Sequence, residues 1–204
     1  MQACRLAAAN LSCVRGERLL FRGLGLDLSS GDALHVTGPN GIGKTSLIRI
    51  LAGLARPMTG TVARTGSVAM LDERSALDAD LPLGRALAFW SAVDRADQTA
   101  FAAHVARLGL DGLADVPVRF LSTGQRKRAA MVRILSQQAP IWLLDEPLNG
   151  MDAAGTALIE RIVAEHCAGG GLAIVASHQP IALPGQAALP LPDFVPEPEP
   201  EPLA

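Results

Sequence analysis

The run GPNGIGKT, Gly38-Pro39-Asn40-Gly41-Ile42-Gly43-Lys44-Thr45, has the spacing G-x-x-x-x-G-K-[ST] and is followed by Ser46. Glycines at these places let successive backbone N–H groups converge on phosphate oxygens. A helix beginning there adds positive potential. Lys44 can reach β- and γ-phosphates, and the Thr45 hydroxyl can ligate Mg²⁺. Residues of these types at this spacing bind a nucleoside triphosphate.

A second group lies about a hundred residues on, in IWLLDEP. An apolar strand ending in Asp145 suits the other protein contact to Mg²⁺. Glu146, the next residue, can orient and deprotonate a water aimed at the γ-phosphate. The plainer alternative is an Asp-Glu pair that only finishes a strand. His178 closes a third apolar stretch, LAIVAS, and can offer a polar contact to the same phosphate. Finally, LSTGQ at 121–125 stands before RKRAAMVRIL. Ser122 and Gln125 have the spacing of a capping box, in which each side chain bonds the other's backbone N–H.

These groups need strands and helices to bring them together. Leu24, Leu26 and Leu28 alternate, so GLGLDL reads as a half-buried strand; ALHVT follows the SSGD turn as a second. The glycine loop then opens a helix from about 44 to 54. Short strands are expected near 61–64 and 68–71. From 72 to 120 the pattern is helical and Ala-rich, broken at Pro82, Gly109, Gly112 and Pro117. A helix follows LSTGQ to about 137, IWLL is a buried strand, a helix spans about 153–167, and LAIVAS is another buried strand. Alternating strands and helices imply a mainly parallel α/β sheet, whose ligands sit at the carboxyl ends of its strands. The glycine loop, Asp145–Glu146 and His178 all fall at such ends.

The chain has 204 residues, 49% of them hydrophobic, enough for one domain with a real core. The expectation is one domain over 1–192, with 72–120 and the helix after it as a helical subdomain. The Pro/Glu-rich stretch 193–204 is expected to be a disordered tail. A net charge of −2 and 3% aromatics argue against a nucleic-acid partner. Three widely spaced cysteines support neither a zinc site nor a disulfide framework, and fit a reducing compartment. No apolar run reaches the ~20 residues of a membrane span, so any work at a membrane needs other subunits.

With these pieces, from about Leu6 to His178, the chain resembles the nucleotide-binding subunits of ABC (ATP-binding cassette) transporters. LSTGQ matches the family's LSGGQ signature. The resemblance implies a P-loop ATPase fold with a parallel core sheet, a small antiparallel β part and an inserted helical subdomain. It implies ATP and Mg²⁺ as cofactors and a head-to-tail sandwich of two cassettes. Ser122, Gly124 and Gln125 would then face the γ-phosphate held by the partner's P-loop, and Asp152 would match the D-loop aspartate. Arg126, Lys127 and Arg128 read as a solvated helix face.

The chain departs from the family in three places. Asn149-Gly150-Met151 replaces the usual Ser-Ala-Leu before Asp152. Arg15 stands where the family has an aromatic that stacks on adenine; a guanidinium plane can also stack on a base. LDERSA lacks the usual Gln near the metal, leaving Glu73, or Asp72, as the nearest substitute. Glu accepts from water but cannot donate when ionised, which predicts slower or differently coupled hydrolysis.

Within the family the chain is most similar in style to the haem-exporter ATP-binding subunits of bacterial cytochrome c maturation. The features are the compact length, the opening segment, LAGLARPMTG, WLLDEP and SHQPI. That resemblance implies a homodimer on the cytoplasmic face of the cell inner membrane, bound peripherally to integral membrane permease subunits. ATP use would power haem export or release of a haem-loaded chaperone. No CxxCH is present, and His35, His104, His166 and His178 are the only histidines. A cassette for another small-molecule exporter, a soluble non-transport ABC ATPase and a non-hydrolysing regulator are the alternatives.

Overall fold

The computed structural model describes residues 3–72 and 76–196. Five strands form the central sheet in the order β5-β6-β7-β3-β8, all adjacent pairs parallel. They are β3 (Ala33–Thr37), β5 (Val68–Leu71), β6 (Ile141–Asp145), β7 (Leu172–Ala176) and β8 (Ala187–Pro190). Every residue of β6 and β7 is buried, as expected for central strands covered on both faces. The neighbouring order β6-β7-β3 brings Asp145, the residues after Ala176 and the loop after Thr37 to one edge of the sheet.

A second sheet is antiparallel, in the order β2-β1-β4, from β1 (Arg5–Arg15), β2 (Arg18–Ser29) and β4 (Thr59–Thr65). Its inner face (Leu6, Leu11, Phe21 and Leu24) meets Val36, Leu143 and Ile174 of the parallel sheet. Helix α1 (Lys44–Ala52) is packed into the same core. α1 ends earlier than its apolar pattern suggests, because Gly53 turns left-handed at φ 77 and takes the helix's last carbonyls on its own N–H.

The other face of the parallel sheet carries the helices α2 (Leu83–Val93), α3 (Gln98–Arg107), α4 (Thr123–Ser136) and α5 (Ala153–Ala168). α4 is tied to α2 by Arg133, which pairs with Asp94 at 2.9 Å and lies over the Trp90 ring at 3.5 Å. It is tied to the end of α3 by Arg128, which donates to the Leu108 carbonyl at 2.9 Å.

Two expectations change. The basic run at the start of α4 is not one solvated face, since Lys127 is buried. The ordered chain also continues past 192. A 3-10 turn over Leu191–Phe194 buries Leu191 and lays Phe194 on the core between the sheets. The apolar residues of LPDF there outweigh the prolines around them. Glu73 and the Pro/Glu run 197–204 lie outside the described residues.

Candidate functional site

The loop between β3 and α1 turns through positive φ at Gly38 (145), Gly41 (78) and Gly43 (121). A side chain at any of these would strain the backbone. The loop lines a cavity of about 340 Å³ with Arg15, Leu20, Glu146 and Asn149. Lys44 is buried on its inner wall; its Nζ donates to the Gly38 and Pro39 carbonyls at 2.8 and 3.2 Å. A larger cleft of about 590 Å³ lies at the opposite end of β6, around Trp142 and His166. It has no phosphate-binding loop and no helix N-terminus, so the smaller cavity is the one with the chemistry.

Glu146 is the only residue of the two carboxylates in a strained backbone, at φ 47. A non-glycine residue held there costs about 1–3 kcal/mol. Its N–H is anchored to the Ala176 carbonyl at 2.8 Å. The turn aims the side chain back over the loop, where Oε1 lies 3.1 Å from Lys44 Nζ in an ion pair without hydrogen-bond alignment. Oε2 is 2.9 Å from Nδ1 of His178. One carboxylate thus joins the ends of three strands.

Asp145 is wholly buried, and neither carboxylate oxygen has a hydrogen-bond partner. Burial raises its pKa; the nearby Thr45 hydroxyl and the Lys127 charge pull the other way. An orphaned buried carboxylate beside a P-loop hydroxyl is the donor pair a hard divalent cation requires. The residues present therefore fit Mg²⁺.

The signature residues stand elsewhere. Ser122, Gly124, Gln125 and Asp152 are absent from the lining of the nucleotide cavity. Ser122 caps α4 in a capping box: the Gln125 N–H donates to Ser122 Oγ at 3.1 Å, and the Ser122 N–H donates to Gln125 Oε1 at 2.8 Å. Asp152 caps α5 by accepting from the Gly155 N–H at 2.7 Å. Both cap residues are exposed. The two caps are neighbours through glycine: a Cβ on Gly124 would come 2.5 Å from the Gly150 carbonyl oxygen. Asp72 pairs with Arg49 of α1 at 2.7 Å.

Sequence reasoning missed Asn149 and Leu20, which line the cavity. It also missed the role of Gly150, whose left-handed turn (φ 75) lets the segment after β6 lie on Thr123 and Gly124. The signal for Asn149 and Gly150 was their place three and four residues after Glu146.

The ABC transporter family profile matches residues 21–149. A "Cytochrome c biogenesis ATP-binding export protein CcmA" from Novosphingobium aromaticivorans is 53% identical over 96% of this chain and 100% of its own. A protein of the same name from Sphingopyxis alaskensis is 55% identical over 88% and 92%. Among solved structures, one described as an ABC transporter ATP-binding protein, from Pyrococcus furiosus, superposes with a TM-score of 0.81 at 18% identity. It covers 94% of this chain and 100% of that one, and shows the fold. The chain therefore carries the ATP-binding domain of that family. The chain belongs to the ABC transporter family, and within it to the cytochrome c biogenesis ATP-binding export proteins CcmA.

Proposed function

We propose that this chain hydrolyses ATP to drive the export step of c-type cytochrome biogenesis named in its relatives, in which haem or a haem-loaded chaperone is the cargo. It works as a sandwich of two copies bound to integral membrane permease subunits on the cytoplasmic side of the cell inner membrane. Among the described residues no helix is long and apolar enough to cross a membrane, so the span belongs to the partners. The observation that carries the reading is Glu146, held over the P-loop between Lys44 and His178 beside the unpartnered Asp145 carboxylate.

Backbone N–H groups from Gly41 to Thr45, with Ser46, receive the phosphates, while Leu20 and Arg15 face the nucleoside. Thr45 and Asp145 would hold Mg²⁺, which when bound would neutralise phosphate charge; Glu73, outside the described residues, is the third candidate there. As phosphate enters, Lys44 exchanges Glu146 for phosphate oxygens and releases the carboxylate. Glu146 then takes a proton from water as the water oxygen bonds to the γ-phosphorus and the bond to ADP breaks. His178 keeps the carboxylate oriented and meets the γ-phosphate. Ser122 and Asp152, exposed, and Gly124 and Gln125 beside them, all away from their own chain's cavity, face the nucleotide of the second copy. A helix N-terminus suits an anion brought by another subunit.

The test is Glu146→Gln in the cell that makes this protein. Turnover of the purified variant should fall at least about a hundredfold, the scale of losing a general base. Covalent haem staining of c-type cytochromes should disappear while the apoproteins are still made. Normal staining would exclude the cytochrome c reading, and unchanged turnover would exclude Glu146 as the base.

A further inference from the structure

Lys127 stands one turn after the capping box of α4, and only 7% of it is exposed. Its Nζ donates to two backbone carbonyls: Asp145 O at the end of β6 and Asp72 O just past β5, each at 3.2 Å. Burying an ammonium costs several kcal/mol unless its donors are used, and these two bonds tie it to the end of β6, where Asp145 lies, and to the residue that follows β5. Asp72 is in turn held by Arg49 on α1, the helix that carries the P-loop. One continuous path therefore runs from the signature helix through Lys127 to Asp145, and through Asp72 and Arg49 to α1. A solvated lysine at this position would make none of it.

We infer that Lys127 is a positioning residue for hydrolysis, binding the signature helix to the metal-site end of its own chain so that the two keep one geometry. It does not line the nucleotide cavity, and it acts through the Asp145 backbone that sets where the carboxylate lies. The inference rests on the roles given above to Asp145 and Glu146. Its consequence is specific: nucleotide binding by the P-loop does not need Lys127, whereas turnover does.

Lys127→Met keeps the side-chain length and removes the charge; Lys127→Arg keeps the charge. Three quantities separate the possibilities: melting temperature, affinity for a fluorescent ADP in EDTA, and kcat and KM for Mg·ATP. In Lys127→Met the first two should match the parent chain. kcat should fall about tenfold or more with KM little changed, since displacements near 1 Å at a catalytic centre cost up to about a hundredfold. Lys127→Arg should recover most of the loss. Wild-type kcat in Lys127→Met overturns the inference. So does a folded Lys127→Arg that recovers nothing, or a parallel fall in melting temperature, EDTA affinity and kcat, which is what a merely structural lysine would give. Turnover that is missing in the parent chain, or indifferent to Glu146→Gln, marks failure of the catalytic assignment instead.

Discussion

At the scale of single residues, the site stores unfavourable energy in the groups that do the chemistry. Asp145 is a buried carboxylate without an aligned hydrogen bond, its near donor being the Thr45 hydroxyl, and Glu146 sits in a left-handed backbone. A folded chain keeps such groups only where a ligand later repays them. Asp145→Asn should therefore raise the melting temperature of the nucleotide-free chain by a few degrees, about 1 kcal/mol for a chain of this length, because it removes the buried charge. The same change should abolish Mg²⁺-dependent ATP turnover. A melting temperature that falls on Asp145→Asn would show that the carboxylate is satisfied in the fold. His178→Ala leaves Glu146 Oε2 without its 2.9 Å partner and should lower kcat about a hundredfold or more while sparing ADP binding. Equal losses in both would place His178 in binding alone.

At the scale of elements, the N-termini of α4 and α5 are the parts most exposed to error. Each depends on one exposed cap, Ser122 or Asp152, and the segment after β6 lies against α4 with no room for a side chain at Gly124. Ser122→Ala deletes half of a capping box and should cost about 1 kcal/mol, seen as a drop of roughly 2–4 °C. Gly124→Ala should cost more, about 1–3 kcal/mol, because its Cβ would drive against the Gly150 carbonyl and push Asn149–Asp152 off the helix. Heat denaturation of the two variants checks the order; Gly124→Ala as stable as the parent would mean that the loop yields freely.

At the scale of the whole molecule, three histidines make stability depend on pH. His35, His104 and His166 are each held below the ordinary histidine value, first of all by burial. His166 stacks on Trp142 with ring centroids 3.7 Å apart and bonds the Pro140 and Leu172 carbonyls. Their folded form is the neutral one. Below about pH 6.5 the unfolded chain takes up protons that the folded chain refuses, so stability is present above that pH and is lost as the pH falls. Asp145, raised by burial, works the other way: its contribution grows as the pH falls through its raised pKa. The melting temperature should fall between pH 7.5 and 5.5, and less steeply in His166→Asn. A flat profile would mean that these rings take up protons as readily in the fold as in the unfolded chain.

The sequence by itself determined the chemistry and most of the parallel sheet. The P-loop, the Asp145–Glu146 pair and the Ser122–Gln125 box are local patterns, in which spacing along the chain dictates which backbone groups meet. The buried runs of β6 and β7 are equally local, since strands covered on both faces must be apolar throughout. Only the tertiary structure decided the antiparallel β1 (Arg5–Arg15), whose bulges interrupt any alternation, and β8 (Ala187–Pro190), whose short run carries two prolines' worth of turn signal around it. It also decided that Lys127 turns inward while Arg126 and Arg128 stay partly open, and that Glu146 meets both Lys44 and His178. The reason is common to all of these: a strand's partner, a lysine's carbonyls and a carboxylate's two nitrogen partners lie on distant parts of the chain. Their meeting is set by how the sheets and helices pack, and no pattern of neighbours along the sequence records it.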